Sequence, residues 1–241
     1  GKSAIDADQI ACMGITNQRE TTVVWDKKTG RELADAVVWQ CNRAKDICVK
    51  MEDTYRCGQE VYEKTGLKLS PYYPAAKLAW LLENVPEIRQ KVREGSAAFG
   101  TIDSWLLFKR TEGKVHKTDY SNASRTQLFN LETLTWDEEI CRYFGIEKNM
   151  LPEICDSDSC FGETTLGGLL KKPIPICGVL GDSHGALFGH NCRKKGGIKA
   201  TYGTGSSVML NTGEQKTVSK HGLSTSIAWK VGGQVSYVLE G

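Results

Sequence analysis

The sequence predicts an α/β protein in which mixed sheets are flanked by helices. Three observations carry this. Short apolar, β-branched runs recur near the start and again at residues 173–179. The middle of the chain spaces its apolar residues as helices do. From Ile198 onward, brief β-like runs alternate with glycine turns.

In chain order, Gln9 to Thr16 (QIACMGIT) reads as a buried strand, and Thr21 to Trp25 (TTVVW) as a second. The segment DKKTGR is a turn with Gly30 as its permissive residue. Ala36 to Trp39 reads as a third strand, and the three are expected to pair as consecutive antiparallel neighbours. Tyr73 to Asn84 places Ala76, Leu78, Leu81 and Leu82 near one face of a helix, with Pro74 in its first turn. Pro86 to Glu94, a stretch following Asp103 within Phe99 to Arg110, and Trp136 to Phe144 read as further helices, and Pro173 to Val179 as a strand.

A length of 241 residues suits one large domain or one and a half ordinary ones. Hydrophobic residues at 40% and charged residues at 25% are those of an ordinary globular protein. A net charge of +2, with Lys and Arg scattered, argues against a nucleic-acid partner. No apolar run approaches a membrane span. The first residues lack both a signal-peptide core and an initiating Met, so the chain is expected to start inside a longer protein. It stops after the strand-like YVLE, where a finished domain would leave a sheet uncovered on one face, so truncation is expected at this end too. The nine cysteines form no CxxC pair and no zinc spacing; reduced thiols in a cytoplasm are expected, several of them buried.

Four groups of residues carry chemistry. The turn Thr201 to Ser207 (TYGTGSS) exposes backbone N–H groups to an anion, although hairpins use the same residues and no Walker or GxGxxG pattern follows. Asp182, in GDSHG after an apolar strand, is either a helix N-cap or a carboxylate that accepts the proton of an attacking hydroxyl. The neighbouring His184 reads as a packing residue. Arg19 and Glu20, in NQRE, offer donors and acceptors to vicinal hydroxyls only if the backbone there is irregular, because adjacent strand residues face opposite ways. Trp39 and Tyr72 are aromatic faces for the C–H side of a polyol, or core residues.

Taken together, the segments MGITNQRETTVVWDKKTGRELADAVVWQ, YYPAAKLAWLLEN, FGTIDSWLLFKR, IPICGVLGDSHGALFGH and TYGTGSSVMLNTGE resemble the FGGY family of carbohydrate kinases, and within it the glycerol kinase branch. The resemblance covers almost the whole chain. It implies an actin-like, RNase H-like ATPase fold with an incomplete two-domain architecture. Residues 1–190 would be the polyol-binding N-terminal domain without its first strands, and 191–241 the beginning of the nucleotide-binding C-terminal domain. It implies ATP and Mg2+ as cofactors and phosphorylation of glycerol to glycerol 3-phosphate by the parent protein. Arg19, Glu20, Trp39, Tyr72 and Ser183 would bind substrate together with Asp182, the general base, which would also reach the metal through water. Gly203, Thr204 and Gly205 would form the second phosphate-binding turn.

The partner expected is a small polyol, with neither nucleic acid nor membrane, and a homo-oligomer stays open. The D-x-G-T-[ST] hairpin is not in this sequence. Three departures stand out: Ser183 where glycerol kinases usually have Gln, Ser207 where they often have Phe, and Cys41 where they have Asp. The first two widen the pocket and point to an alternative kinase for a longer polyol or ketose such as erythritol or xylulose. A non-catalytic FGGY relative, and a chaperone or cytoskeletal ATPase on the same fold, are the readings from other classes. The stretch Gly167 to Lys172 (GGLLKK) lacks the Arg that binds fructose 1,6-bisphosphate in some relatives and lacks the His through which others are phosphorylated, so neither control is expected.

Overall fold

The computed structural model describes residues 6–203 and 206–241. Its main elements, in order, begin with β1 (Met13–Asn17), β2 (Val23–Asp26), α1 (Lys45–Tyr55), α2 (Gly58–Thr65), α3 (Pro74–Asn84) and α4 (Pro86–Arg93). They continue with β3 (Ala97–Gly100), α5 (Ile102–Arg110), β4 (Lys117–Asp119), α6 (Tyr120–Ala123), β5 (Phe129–Asn130), β6 (Thr135–Trp136) and α7 (Glu138–Tyr143). The last are β7 (Glu153–Cys155), β8 (Glu163–Thr164), β9 (Ile174–Gly181), α8 (Asp182–Gly189), β10 (Ile198–Tyr202), β11 (Ser206–Gly213), β12 (Ser224–Val231) and β13 (Gln234–Glu240).

The helices start and stop where the chain chemistry dictates. Pro74 opens α3 at a position where a missing N–H costs nothing. Val85 is extended (φ −116°, ψ 98°) because it precedes Pro86, and this ends α3 and lets α4 begin. α2 ends on Gly66, whose φ of +73° is the left-handed cap. A β-carbon at Gly66 would also lie 2.6 Å from the Thr225 carbonyl oxygen, so glycine allows β12 to approach.

The first strands pair differently from expectation. β1 is not a neighbour of β2; it pairs in parallel with β9, from Met13↔Ile176 to Asn17↔Gly181. β2 pairs with β3, antiparallel. Ala36 to Trp39 forms no strand, and its strand-like pairing among the described residues is an isolated bridge from Val37 to Thr22. β1 is also buried on one face only, with Ile15 and Asn17 inward and Gly14 and Thr16 exposed. The short helix expected from Trp136 is α7, which starts at Glu138 after Asp137 caps it; Trp136 belongs to β6.

The main core lies among α1, α3 and α4, where Ile47, Met51, Leu78, Leu81 and Ile88 join Phe99 and Leu128. Each such large side chain contributes about 1.5–3 kcal/mol on burial. The meander expected from Ile198 is a four-stranded antiparallel sheet in the order β10-β11-β13-β12. An uncovered face is not found at its β12–β13 hairpin. Tyr237 packs with Tyr120 and Phe129, and its neighbour Val238 packs with Leu187 of α8. Adjacent strand residues face opposite ways, so both faces are filled.

Candidate functional site

The pairing of β1 with β9 builds the site. Asn17 and Gly181 are register partners at the ends of two parallel strands. The residues that follow, Gln18 to Glu20 on one side and Asp182 on the other, therefore enter the same crevice. Glu20 has φ +63°, a conformation uncommon for a side-chain-bearing residue. That kink is the irregularity that lets Arg19 and Glu20 both face one cleft.

Asp182 is the first residue of α8, one place after the N-cap position, which Gly181 occupies without a side-chain cap. The N-cap reading is thus set aside. Its Oδ1 accepts the Ser183 N–H at 2.7 Å and lies 3.4 Å from Arg19 Nε, and the side chain is 54% exposed. The backbone beneath it is pinned. Gly181 N–H donates to the Ser121 hydroxyl at 2.9 Å, and that hydroxyl donates to buried Asp119. Asn17 and Asn122 exchange side-chain amide hydrogen bonds at 2.9 and 3.2 Å beside this junction. A β-carbon at Gly181 would lie 2.8 Å from Cγ and Cδ of Arg19, so glycine is required for that close passage.

Four buried charges line the floor. Glu240 Oε1 and Oε2 accept both terminal nitrogens of Arg19 at 2.8 and 2.9 Å. Arg125 Nε donates to Glu20 at 2.6 Å, and an Nη of Arg125 lies 3.1 Å from Glu240. Arg19 and Glu20 are 3.9 Å apart. Burial works against the Glu240 charge, yet Arg125 and Arg19 hold its carboxyl well below the usual carboxylate range. Burial alone would lower Arg19, but Glu20 and Glu240 beside it raise it instead. Charges so buried persist because the pairing is mutual.

The aromatic wall is Trp39 and Tyr72, with ring centroids 5.8 Å apart and planes at 60°. Burial, with the Glu20 carboxylate next, pushes the Tyr72 phenol up to about 12, so it stays a neutral donor. Beneath it, the fully buried Lys77 donates to the carbonyls of Glu20 and Tyr72 and so ties two cleft segments together. Desolvation lowers this ammonium to about 8, against the pull of Glu20.

The cleft, about 810 Å³, is also lined by Ser183, Thr201, Ser206, Ser207 and Glu240. Ser207 donates to Glu240 at 3.0 Å. Gly203 is exposed just beyond β10 and does not line the cleft, although its neighbours Thr201 and Ser206 do. Thr204 and Gly205 lie outside the described residues. His184 is buried with Nε2 3.1 Å from the Ser226 hydroxyl, and desolvation, then Arg19, hold its pKa well below the usual value, so it is a neutral packing group.

One cleft therefore gathers Arg19, Glu20, Trp39, Tyr72, Asp182 and Ser183. Sequence reasoning missed Arg125, Glu240 and the role of Lys77. Their signals were faint: an arginine inside the otherwise small and polar SNASRTQ, an acid closing an apolar strand, and a lysine amid the alanines of α3. Among the described residues no group of three or more His, Cys, Asp or Glu side chains is arranged to hold a metal ion. No helix among them is long and apolar enough to cross a membrane.

Residues 1–189 match the FGGY family of carbohydrate kinases, N-terminal domain. The whole chain is 47% identical to a glycerol kinase of Aliivibrio salmonicida, covering 47% of that protein. It is 48% identical to a glycerol kinase of Escherichia coli O81, again along its full length and over 48% of that protein. The chain thus spans about half the length of the curated relatives it matches. Among solved structures, Plasmodium falciparum glycerol kinase with ADP superposes with a TM-score of 0.91 at 40% identity, over 96% of this chain and 46% of that one. A gluconate kinase from Lactobacillus acidophilus, at 23% identity and a TM-score of 0.81, covers 96% of this chain and 46% of its own and shares the fold.

Proposed function

Because this chain belongs to the FGGY family of carbohydrate kinases, we propose that the protein carrying it transfers the terminal phosphoryl group of ATP to a hydroxyl of glycerol, giving glycerol 3-phosphate and ADP. The fold is the actin-like one of the sugar kinases it superposes on. Residues 1–190 serve as the polyol-binding unit and 191–241 as the opening of the nucleotide-binding unit; the wholly antiparallel sheet beyond residue 197 supports that division.

The observation that carries the reading is Asp182. Its carboxylate stands half-exposed in the crevice beyond two parallel strands, next to a guanidinium and in a cleft that Trp39 and Tyr72 also line. Open α/β sheets place ligands there. In this role Asp182 accepts the proton of the attacking hydroxyl. Arg19 and Arg125 line the same cleft and present its cationic side to substrate oxygens. Trp39 and Tyr72 cover the carbon side of the polyol and exclude water.

The donor set also fits a magnesium nucleotide. Glu20 and Glu240 are engaged by guanidiniums, which leaves Asp182 as the carboxylate with an open side. A hard cation takes oxygen ligands and keeps several waters, so Asp182 would hold Mg2+ through water. Thr201 and Ser206, which line the same cleft, would offer hydroxyls to the phosphates. When bound, Mg-ATP supplies the phosphoryl group and the charge that stabilises its transfer.

The test is a coupled assay on the full-length protein with ATP and glycerol. Asp182→Asn should cut kcat by about 100-fold or more while the glycerol KM stays within a few-fold. Absence of turnover in the wild type, or full activity in the variant, overturns the reading. Ser183 and Ser207, both small and both in the cleft wall, favour one second reading, a four- or five-carbon polyol or ketose. A panel in the same assay decides it: glycerol far ahead of erythritol and xylulose rejects the longer substrate.

A further inference from the structure

Arg19 stands between two carboxylates. Its terminal nitrogens are bound in parallel by Glu240 at 2.9 and 2.8 Å, the strongest pairing geometry a guanidinium has. Its third nitrogen, Nε, faces Asp182 at 3.4 Å without a hydrogen bond. Glu20, 3.9 Å away, is already taken by Arg125. Released from Glu240, the fork would find Asp182 as its nearest free acid.

Both oxygens of Glu240 are already engaged: beside the fork of Arg19 they meet Arg125 and the Ser207 hydroxyl. We infer that Glu240 is a positioning residue: it holds the fork of Arg19 away from Asp182, so that the carboxylate stays open to a substrate hydroxyl. The role of Asp182 in this statement rests on the kinase reading above. Glu240 belongs to β13 and Arg19 follows β1, so the second sheet sets the electrostatics of a group on the first. Ser207, one of the departures in the sequence, acts here as the third partner of the Glu240 carboxylate, after Arg19 and Arg125.

The experiment is a set of variants of the full-length protein, assayed with glycerol and ATP. Glu240→Gln keeps the shape and removes the charge. It should lower kcat by at least tenfold and raise the glycerol KM several-fold, with the ATP KM within threefold of wild type. Glu240→Asp, which restores the charge, should recover most of the lost kcat. Because the effect runs through Asp182, Glu240→Gln in an Asp182→Asn background should cost less than twofold. Should Glu240→Gln fail to fold, Ser207→Ala, which strips one hydrogen bond from the same carboxylate, should still lower kcat more than it changes the ATP KM. Wild-type kcat and glycerol KM in Glu240→Gln, or full additivity with Asp182→Asn, overturns the inference. An inactive wild type instead overturns the kinase reading, so the two failures are distinct.

Discussion

Glu20 and Glu240 are buried against guanidiniums, whereas Asp103 and Asp119 are buried against hydroxyls and N–H groups alone. In the cleft, Coulomb attraction wins over desolvation, and Glu240 is held well below the usual carboxylate range. In the second centre desolvation wins. Asp103 accepts from Thr101 and Thr118 and is still pushed up to about 6, with the Asp119 charge adding to the effect. Asp119 accepts the N–H groups of Ser121 and Asn122, both their side chains and the Ser157 hydroxyl, yet burial raises it too. Hydrogen bonds fix a carboxylate in place, but a nearby cation is what keeps it charged in the interior. The first centre keeps its charges paired inside the cleft; the second organises α6 and, through Ser121, the backbone under Asp182.

The largest expected effect tests the first half of this contrast. Arg125→Met removes one cation from the paired set and leaves its acids undercompensated. Losing one partner of a buried pair costs about 3–5 kcal/mol, measurable by urea unfolding. A loss below about 1 kcal/mol would mean that water, not Arg125, balances the charges.

A smaller, pH-dependent effect tests the second half. Asp103 titrates near 6 in the native protein, against an ordinary value of 3.8 for an exposed aspartate. The native state thus takes its proton first, and acidification from pH 6 toward 4 stabilises through this group. His116, desolvated with its Nε2 2.7 Å from the Phe99 carbonyl oxygen, titrates near 4 against 6.5. Here the unfolded chain takes the proton first, and acidification over the same window destabilises. The two oppose each other in the wild type. In Asp103→Asn the His116 loss is unopposed, so stability should fall more steeply between pH 6 and 4, by roughly 2 kcal/mol. Parallel melting curves across that window would show that Asp103 is already ionised there.

The smallest effect contrasts a half-buried thiol with two buried in the core. Hydrogen bonds from the Arg43 backbone and side chain lower the Cys41 thiol, whereas burial pushes Cys48 and Cys141 up to about 12. Thiolate is the reacting form, so iodoacetamide should label Cys41 at least tenfold faster than either, read by peptide mass spectrometry. Equal rates would remove the electrostatic distinction between the Arg43-bonded thiol and the core thiols.

Local signals in the sequence were enough for some of this arrangement. The antiparallel sheet after Ile198 was visible because alternation and glycine turns lie within each hairpin. Helix α3 was visible because Pro74 and the apolar spacing agree. Asp182, Arg19, Glu20, Trp39 and Tyr72 were each visible as polar or aromatic residues beside apolar runs. Strand partners were not. Periodicity identifies β1 as a strand but does not say that its neighbour is β9, some 160 residues later, and TTVVW offered a nearer partner. Ala36 to Trp39 misled because β-branched residues also suit an extended connection that packs Val37 inward. Glu240 and Arg125 stayed hidden because an ion pair spanning more than a hundred residues leaves no local pattern.

Gly181 lacks a side chain where the stem of Arg19 passes. The carboxylate of the next residue and the guanidinium therefore share a single steric hinge point, and a lone methyl there would act as a wedge between them. It would push Arg19 against Glu240 and carry the disturbance into the neighbouring sheet. The mutational tolerance of the whole crevice is thus governed by a residue with no functional group of its own.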